Sequence, residues 1–143
     1  MLQINSYLTF NGNCREAMTF YKECLGGELI FQTLGESALS NKMPKKMKDA
    51  ILQATLTTRH FILMASDMVP ENGLIKGNSV SLSLNCGSEE EIKKCYTKLS
   101  ENGIVKQPLE ENFWGALFGD LTDKYGNNWI LNCNTHKIEK QIK

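Results

Sequence analysis

The stretch Leu8-Thr9-Phe10-Asn11 near the start of the chain is matched by Leu82-Ser83-Leu84-Asn85 in its second half. Both stretches alternate apolar and polar side chains, which is typical of a strand with one buried face. A candidate helix N-cap follows each stretch, Asn13 in the first case and Ser88 in the second, and each has a glutamate at the capping-box spacing. The matched order predicts that one structural unit occurs twice.

Each half continues as a helix that ends at Gly26-Gly27 or Asn102-Gly103, with Gly27 matched to Gly103, and then as three further strands. Tyr21 matches Tyr96 in the helices. The predicted strands are Leu2–Phe10, Glu28–Leu34, Ala50–Thr57 and His60–Ser66, then Ser79–Asn85, Ile104–Leu109, Ala116–Leu121 and Asn128–Cys133. In the fourth strands, Phe61-Ile62-Leu63 is matched with Trp129-Ile130-Leu131.

These elements predict an α+β fold of two βαβββ modules within one domain, residues 1–136. Module 1 is expected over about residues 1–66 and module 2 over about 79–134. Residues 67–78 form the connector between them, and residues 137–143 form a basic tail.

The composition limits the functional classes. Sixteen Lys and Arg balance sixteen Asp and Glu, so the chain as a whole carries no basic field for nucleic acid or anionic lipid. No apolar run is long enough to cross a membrane, and the first residues do not resemble a signal peptide. The five cysteines are odd in number and form no CxxC pair, which favours reduced thiols in the cytoplasm.

The first strand of each module has a polar face. We expect the apolar residues to pack on the helix, and they are Ile4, Leu8 and Phe10, then Val80, Leu82 and Leu84. The opposite face carries Asn5, Tyr7 and Thr9, then Ser79, Ser81 and Ser83. Such a face either lines a cavity for a ligand or is simply wetted by solvent.

Other residues allow two interpretations each. Phe113 and Trp114, between two predicted strands, either wall a pocket or belong to the core or a dimer contact. Met64 either lines a pocket mouth or packs. Glu110 and Glu111 are expected in a solvated loop. The helical cysteines are interpreted as buried structural thiols without a neighbouring base, and they are Cys14, Cys24 and Cys95.

Several motifs occur together in a specific order. They are Tyr7 to Asn13, Glu16-Ala17, Phe20-Tyr21, Leu25 to Glu28, Leu63 to Asp67, Pro108-Leu109, Phe113-Trp114-Gly115 and Asp123 to Trp129. In this order the chain resembles the PhnB-like branch of the glyoxalase/bleomycin-resistance/dioxygenase superfamily, also called the vicinal oxygen chelate superfamily. The resemblance covers about residues 2–133 and implies paired βαβββ modules, a curved open mixed-sheet barrel and a homodimer.

The resemblance also implies a metal site in catalytic members, held by His, Gln or Glu on the first and last strands. The positions in this sequence that correspond to that pattern hold Asn5 or Ser6, Ser79, Ile62 and Ile130. Gln53 stands where many members of the branch have a histidine. His60 and His136 have no partner at ligand spacing, so we expect no catalytic metal. Some members carry a demethylubiquinone methyltransferase label, but no glycine-rich cofactor loop is present and no cofactor is expected.

The sequence therefore favours a protein that binds a small molecule, with a second copy of the chain as its other partner and no nucleic acid or membrane partner. The predicted ligand-binding residues are Asn5, Tyr7, Thr9, Gln53, Met64, Ser79, Ser81, Phe113, Trp114 and Asn132. The alternative is a metal-dependent lyase, isomerase or dioxygenase-like enzyme with atypical ligands. A structural or interaction protein is the third hypothesis.

Overall fold

The computed structural model describes residues 1–36, 47–113 and 115–134. The chain divides into two compact units, Met1–Ile75 and Lys76–Lys143. Each unit contains one α-helix and a four-stranded mixed sheet. The predicted α+β class with two βαβββ modules is therefore confirmed. His136 and the predicted tail lie outside the described residues, and the predicted limits of the domain and its connector stay predictions.

Unit 1 follows the βαβββ order. Its elements are β1 (Ser6–Thr9), α1 (Cys14–Leu25), β2 (Glu28–Thr33), a 3-10 turn (Leu34–Glu36), β3 (Ile51–Thr57) and β4 (Ile62–Ser66). The strand order in the sheet is β1-β4-β3-β2, and β1 is parallel to β4 while the other pairs are antiparallel. The helix buries its apolar stripe, which includes Phe20 and Tyr21, and one sheet face buries Leu56 and Leu63.

Unit 2 repeats this topology. Its elements are β5 (Leu82–Asn85), α2 (Glu89–Ser100), β6 (Ile104–Glu111), β7 (Ala116–Thr122) and β8 (Asn128–Asn134). The strand order is β5-β8-β7-β6, again with one parallel pair, β5 and β8. The helix buries Ile92, Tyr96 and Leu99, and its sheet buries Leu121 and Leu131. Burying these apolar faces against each other is the main favourable term in each unit.

Two predicted strands are shorter than expected. β1 begins at Ser6 instead of Leu2, and β5 begins at Leu82 instead of Ser79. Ile4 and Val80, which were expected to face the helices, are 98% and 73% exposed. An alternating pattern shows that a segment can be a strand, but a strand forms only where a neighbour supplies backbone partners. Here β4 and β8 pair only with the later residues.

The correspondence between the two modules also differs from the predicted one, by two residues. The N–H of Phe10 donates to the carbonyl of Ser66 at 2.8 Å, and the N–H of Cys86 donates to the carbonyl of Asn132 at 2.8 Å. Phe10 is therefore the counterpart of Cys86, and not of Leu84. A shift of two residues preserves the alternation of faces, so the sequence pattern could not detect it.

The predicted end of α1 at Gly26-Gly27 is confirmed, because Gly26 is its C-cap, whereas α2 ends at Ser100 with Glu101 as its C-cap, just before Asn102-Gly103. The two equivalent glycines, Gly27 and Gly103, serve the sheets. Gly27 has a φ of +98°, and a Cβ there would lie 2.6 Å from the carbonyl oxygen of Thr57. A Cβ at Gly103 would collide with the carbonyl oxygen of Thr122 in the same way. Each module thus needs glycine where its second strand approaches its third.

Candidate functional site

The sheet of unit 1 has one face opposite α1, which we call open face 1. A row of side chains crosses all four strands on this face, because Tyr7 pairs with Met64, Met64 with Thr55, and Thr55 with Ile30. Tyr7 is 51% exposed and Ile30 is 68% exposed. The row joins an aromatic ring, a thioether, a hydroxyl and an aliphatic side chain, a mixture that suits contact with an organic molecule.

A second, more polar row lies beside it on open face 1. Thr9 pairs with Ser66, and Gln53 pairs with Gln32. The Ser66 side chain is buried, and its Oγ accepts the N–H of Met68 at 3.2 Å. The hydroxyls and amides supply hydrogen-bond donors and acceptors next to the apolar row.

Unit 2 has the corresponding open face 2, with a different composition. Its equivalent row runs from Ser83 through Ile130 and Asp120 to Gln107. The neighbouring row consists of Asn85, Asn132, Phe118 and Glu110. Open face 2 is therefore richer in amides and carries two carboxylates, of which Asp120 is half-buried and Glu110 is exposed.

The structure brings together only part of the predicted site. Tyr7, Thr9, Gln53 and Met64 share open face 1, and Asn132 lies on open face 2. The predicted residues that lie outside the strands and are exposed are Asn5, Ser79, Ser81 and Phe113. Trp114 lies outside the described residues. Ile130 and Asn132 point away from the helix, since Trp129, Leu131 and Cys133 are buried on the other face of β8.

Two residues at the centre of open face 2 were missed. Phe118 and Asp120 alternate with Leu117, Gly119 and Leu121 along β7, so the period-two signal was present in the sequence. Gln107 could not be placed in this way, because the pairing of β6 with β7 contains register shifts around it. Glu110 and Glu111 lie in β6, so their predicted position in a loop is wrong.

The start of α1 is held by Asp67, which follows β4. Its Oδ1 accepts the backbone N–H groups of Gly12 and Cys14, both at 3.0 Å, and its Oδ2 accepts that of Ile51 at 2.9 Å. The predicted cap residue, Asn13, makes no side-chain cap hydrogen bond. A carboxylate is well placed at a helix N-terminus, because the free N–H groups there carry partial positive charge.

The start of α2 is held locally, as predicted. The Oγ of Ser88 accepts the N–H of Glu91 at 3.1 Å, and the Oε1 of Glu91 accepts the N–H of Gly87 at 2.8 Å. Each helix N-terminus thus already directs backbone donors at a carboxylate of the protein itself. Neither arrangement resembles an open glycine-rich loop prepared for the anionic group of a cofactor.

The thiols differ in their environments. Burial, with a smaller contribution from Asp67, raises the pKa of Cys14 to about 12. A hydrogen bond from Cys86, aided by Lys94 and Lys98, lowers the pKa of Cys95 to about 7. Cys95 is half-buried, so its predicted position as a buried thiol is wrong.

The residues at the implied metal positions do not fit a catalytic metal. Ile130, at the centre of open face 2, has no donor atom. Asn5 and Ser79 are exposed and precede their strands. Among residues 1–36, 47–113 and 115–134, no group of three or more His, Cys, Asp and Glu side chains could hold a metal ion. Metal centres need several such donors on one ion.

The family model described as 3-demethylubiquinone-9 3-methyltransferase matches residues 2–132. The chain belongs to this family. Protein YjdN of Escherichia coli K12 is 31% identical to it over 92% of this chain and 95% of that protein. This family description names a group of related sequences, and the reaction of the present chain does not follow from it.

Solved structures of family relatives resemble the chain closely. Protein PA1353 of Pseudomonas aeruginosa shares 41% identity and a TM-score of 0.83, covering 94% of this chain and 98% of that one. A putative 3-demethylubiquinone-9 3-methyltransferase, PhnB protein, of Bacillus cereus shares 30% identity and a TM-score of 0.74, covering 92% and 99%. The PhnB-like assignment made from the sequence is therefore confirmed.

A more distant solved structure shares the fold. A glyoxalase/bleomycin resistance protein/dioxygenase family enzyme of Burkholderia phytofirmans has a TM-score of 0.60 at 14% identity, covering 90% of this chain and 97% of that one. At this identity the likeness concerns the fold alone. Within the described part of the chain, no helix is long and apolar enough to span a membrane.

Proposed function

We propose that this family member is a small-molecule binding protein whose ligand contacts open face 1. The observation that carries the proposal is the row Tyr7, Met64, Thr55 and Ile30, which crosses four strands on open face 1. A large aromatic and two long apolar side chains stay partly uncovered there, beside hydroxyl and amide groups. Ligand sites commonly combine apolar surface with a few polar groups in this manner.

The chemistry of open face 1 favours binding over catalysis. Open face 1 carries no acid or base among Tyr7, Thr9, Gln53, Thr55 and Met64 other than the phenol of Tyr7. General acid–base chemistry uses a positioned group whose pKa lies near the working pH. The central rows of open face 1 are uncharged, and the carboxylate of Glu28 lies at the edge of the face on β2. Such rows suit an apolar or aromatic compound with hydrogen-bonding substituents.

A thermal-shift screen of small aromatic and aliphatic compounds tests the proposal. The compound that raises the melting temperature most is then titrated against Tyr7→Ala and against Met68→Ala. The two side chains are similarly exposed, 51% and 48%, but Met68 lies outside the sheet. We expect Tyr7→Ala to weaken binding by about 1–3 kcal/mol, the scale of an aromatic anchor. Equal affinities in the two variants would refute binding at open face 1.

A metal-dependent lyase, isomerase or dioxygenase-like enzyme is the second candidate. Asp120 favours it, because this carboxylate lies at the centre of open face 2, paired with Ile130 and Gln107. We nevertheless expect elemental analysis to find no stoichiometric zinc, nickel, iron or manganese. A finding of about one tightly held metal per chain, lost in Gln53→Ala, His60→Ala or Asp120→Asn, would overturn this expectation.

We further propose that the protein acts as a cytoplasmic homodimer, on the basis of the superfamily resemblance. Open four-stranded sheets leave edge strands whose backbone groups can pair with a second copy. Light scattering at micromolar concentration measures the mass directly, and a monomer would contradict the proposal.

A further inference from the structure

Two cysteines of unit 2, Cys86 and Cys95, form a thiol pair joined by a hydrogen bond. Cys86 is the first residue after β5, and Cys95 lies on α2. Both side chains are half-buried, and neither cysteine forms a disulfide. The remaining cysteines are buried, and they are Cys14, Cys24 and Cys133. Cys86 and Cys95 are thus the most accessible thiols of the protein.

Backbone contacts fix both members of the pair. The N–H of Cys86 donates to the carbonyl of Asn132, which ties the end of β5 to β8. The hydrogen bonds of Ser88 and Glu91 fix the point at which α2 begins. The short connection between β5 and α2 is thus held at both ends.

The fold does not require thiols at these positions. Their counterparts in unit 1 are Phe10 and Phe20, both of which are buried rings. The space between the first strand and the helix is therefore filled by two aromatic side chains in unit 1 and by two cysteine side chains in unit 2. Packing alone does not account for the pair in unit 2.

The charges around the pair give the two thiols separate roles. The pKa of Cys95 is lowered to about 7 by the hydrogen bond from Cys86 and by Lys94 and Lys98, against the opposing effects of burial and Glu91. The pKa of Cys86 is raised by its hydrogen bond to Cys95, by burial, and by the charges of Cys95, Glu91 and Cys133. Near pH 7, Cys95 is therefore about half ionised, whereas Cys86 stays protonated.

We propose that Cys86 and Cys95 form a redox modification site, which closes into a disulfide by exchange with a low-molecular-weight disulfide. The Cys95 thiolate attacks one sulfur of the small disulfide, forms a mixed disulfide and releases one small thiolate. Cys86 then gives up its proton, attacks the Cys95 sulfur and releases the second small thiolate. Two protein thiols are oxidised by two electrons, and the small disulfide is reduced to two thiols that take up the two protons.

The expected rate advantage of Cys95 is moderate. At pH 7 a thiol with a pKa of about 7 is half ionised, whereas one with a pKa near 9 is ionised to about one part in a hundred, a difference of about fiftyfold. The lower basicity reduces nucleophilicity by about six- to tenfold over two pKa units. Cys95 should therefore react about five- to eightfold faster than an ordinary accessible thiol at neutral pH.

The test exposes the reduced, folded protein to oxidised glutathione and follows intact mass and thiol content. The wild type should lose two of its five thiols and two hydrogens of mass, and peptide mapping should link Cys86 to Cys95. The reaction rate should rise with pH and level off above about 7, as Cys95 becomes fully ionised. Cys24→Ser removes a buried helical thiol of unit 1 and should leave the product and rate unchanged.

Two variants separate the roles of the pair. With oxidised glutathione, Cys86→Ser should stop at a stable glutathione adduct on Cys95. Cys95→Ser should react with oxidised glutathione at least about fivefold more slowly than the wild type. Circular dichroism of both variants checks that the fold is kept, and Cys95→Ala replaces Cys95→Ser if the latter is misfolded. A wild type that keeps a glutathione adduct without a Cys86–Cys95 link, or a Cys95→Ser variant as reactive as the wild type, would overturn the proposal.

Discussion

The two units share one topology but hold the starts of their helices by different means. In unit 1 the carboxylate of Asp67, fifty or more residues away along the chain, binds the N–H groups of Gly12 and Cys14. In unit 2 the nearby Ser88 and Glu91 perform this task. Both solutions satisfy free backbone donors at the start of a helix. The difference shows that a helix cap can be predicted from the sequence only when the capping residue lies close to the helix in the chain.

A second difference concerns what fills the space between the first strand and the helix. Unit 1 uses Phe10 and Phe20, whose rings both lie near Tyr21, with centroid distances of 6.5 and 5.7 Å. Unit 2 uses Cys86 and Cys95 at the equivalent positions. The larger side chains bury more apolar surface, so unit 1 should depend more on this contact for its stability.

The largest expected effect contrasts two equivalent helix positions. Phe20→Ala should lower the free energy of unfolding by about 3–5 kcal/mol, because it removes a buried ring and leaves a cavity. Cys95→Ala removes a smaller, half-buried side chain and should cost about 1 kcal/mol. Denaturant unfolding of both variants measures the difference. Equal losses in the free energy of unfolding would mean that Phe20 and Cys95 contribute equally to stability, which would contradict the expected difference between the units.

The next effect contrasts the two caps. Asp67→Ala leaves three backbone donors without their carboxylate and should cost roughly 3 kcal/mol, since hydrogen bonds to charged groups are strong. Ser88→Ala removes one cap bond and should cost about 1 kcal/mol. Chemical denaturation compares the two, with Asp49→Ala as a control at an exposed acid. A smaller loss for Asp67→Ala than for Ser88→Ala would contradict the importance of the long-range cap.

The effect expected to be smallest near neutral pH is the response of stability to pH. The pKa of Cys95 is lowered from 9.0 to about 7 by folding, so its stabilisation is present above pH 9 and is lost as the pH falls through 7. The pKa of Cys14 is raised from 9.0 to about 12, so its stabilisation is present below pH 9 and is lost as the pH rises toward 12.

Unfolding at a series of pH values tests both thiols by difference. Wild type should gain stability relative to Cys95→Ser between pH 7 and pH 9, and it should lose stability relative to Cys14→Ser above pH 9. As the pH rises, the expected change in stability thus has opposite signs for the thiol of unit 1 and the thiol of unit 2. If the free energy of unfolding of the wild type changed with pH in parallel with that of both variants, folding would shift the pKa of neither thiol.

Much of the candidate site could be predicted, but unevenly. The alternation of polar residues correctly placed Tyr7 and Thr9 on the face opposite α1, because neighbouring side chains of a strand point to opposite sides. The same rule failed for Ser79 and Ser81, which precede β5 and have no paired strand. The central carboxylate, Asp120, followed the alternation of β7 but was not recognised as part of the face.

The sequence by itself determined the class of fold, the repeated βαβββ order, the capping box at Ser88 and the glycines that follow the helices. These features depend on contacts between residues close in the chain, and their physical causes are local. The tertiary structure alone decided the two-residue correspondence between the modules, the cap provided by Asp67 and the meeting of Cys86 with Cys95. Each of these depends on which strand pairs with which, and at what register, and an alternating pattern is unchanged when the register shifts by two residues.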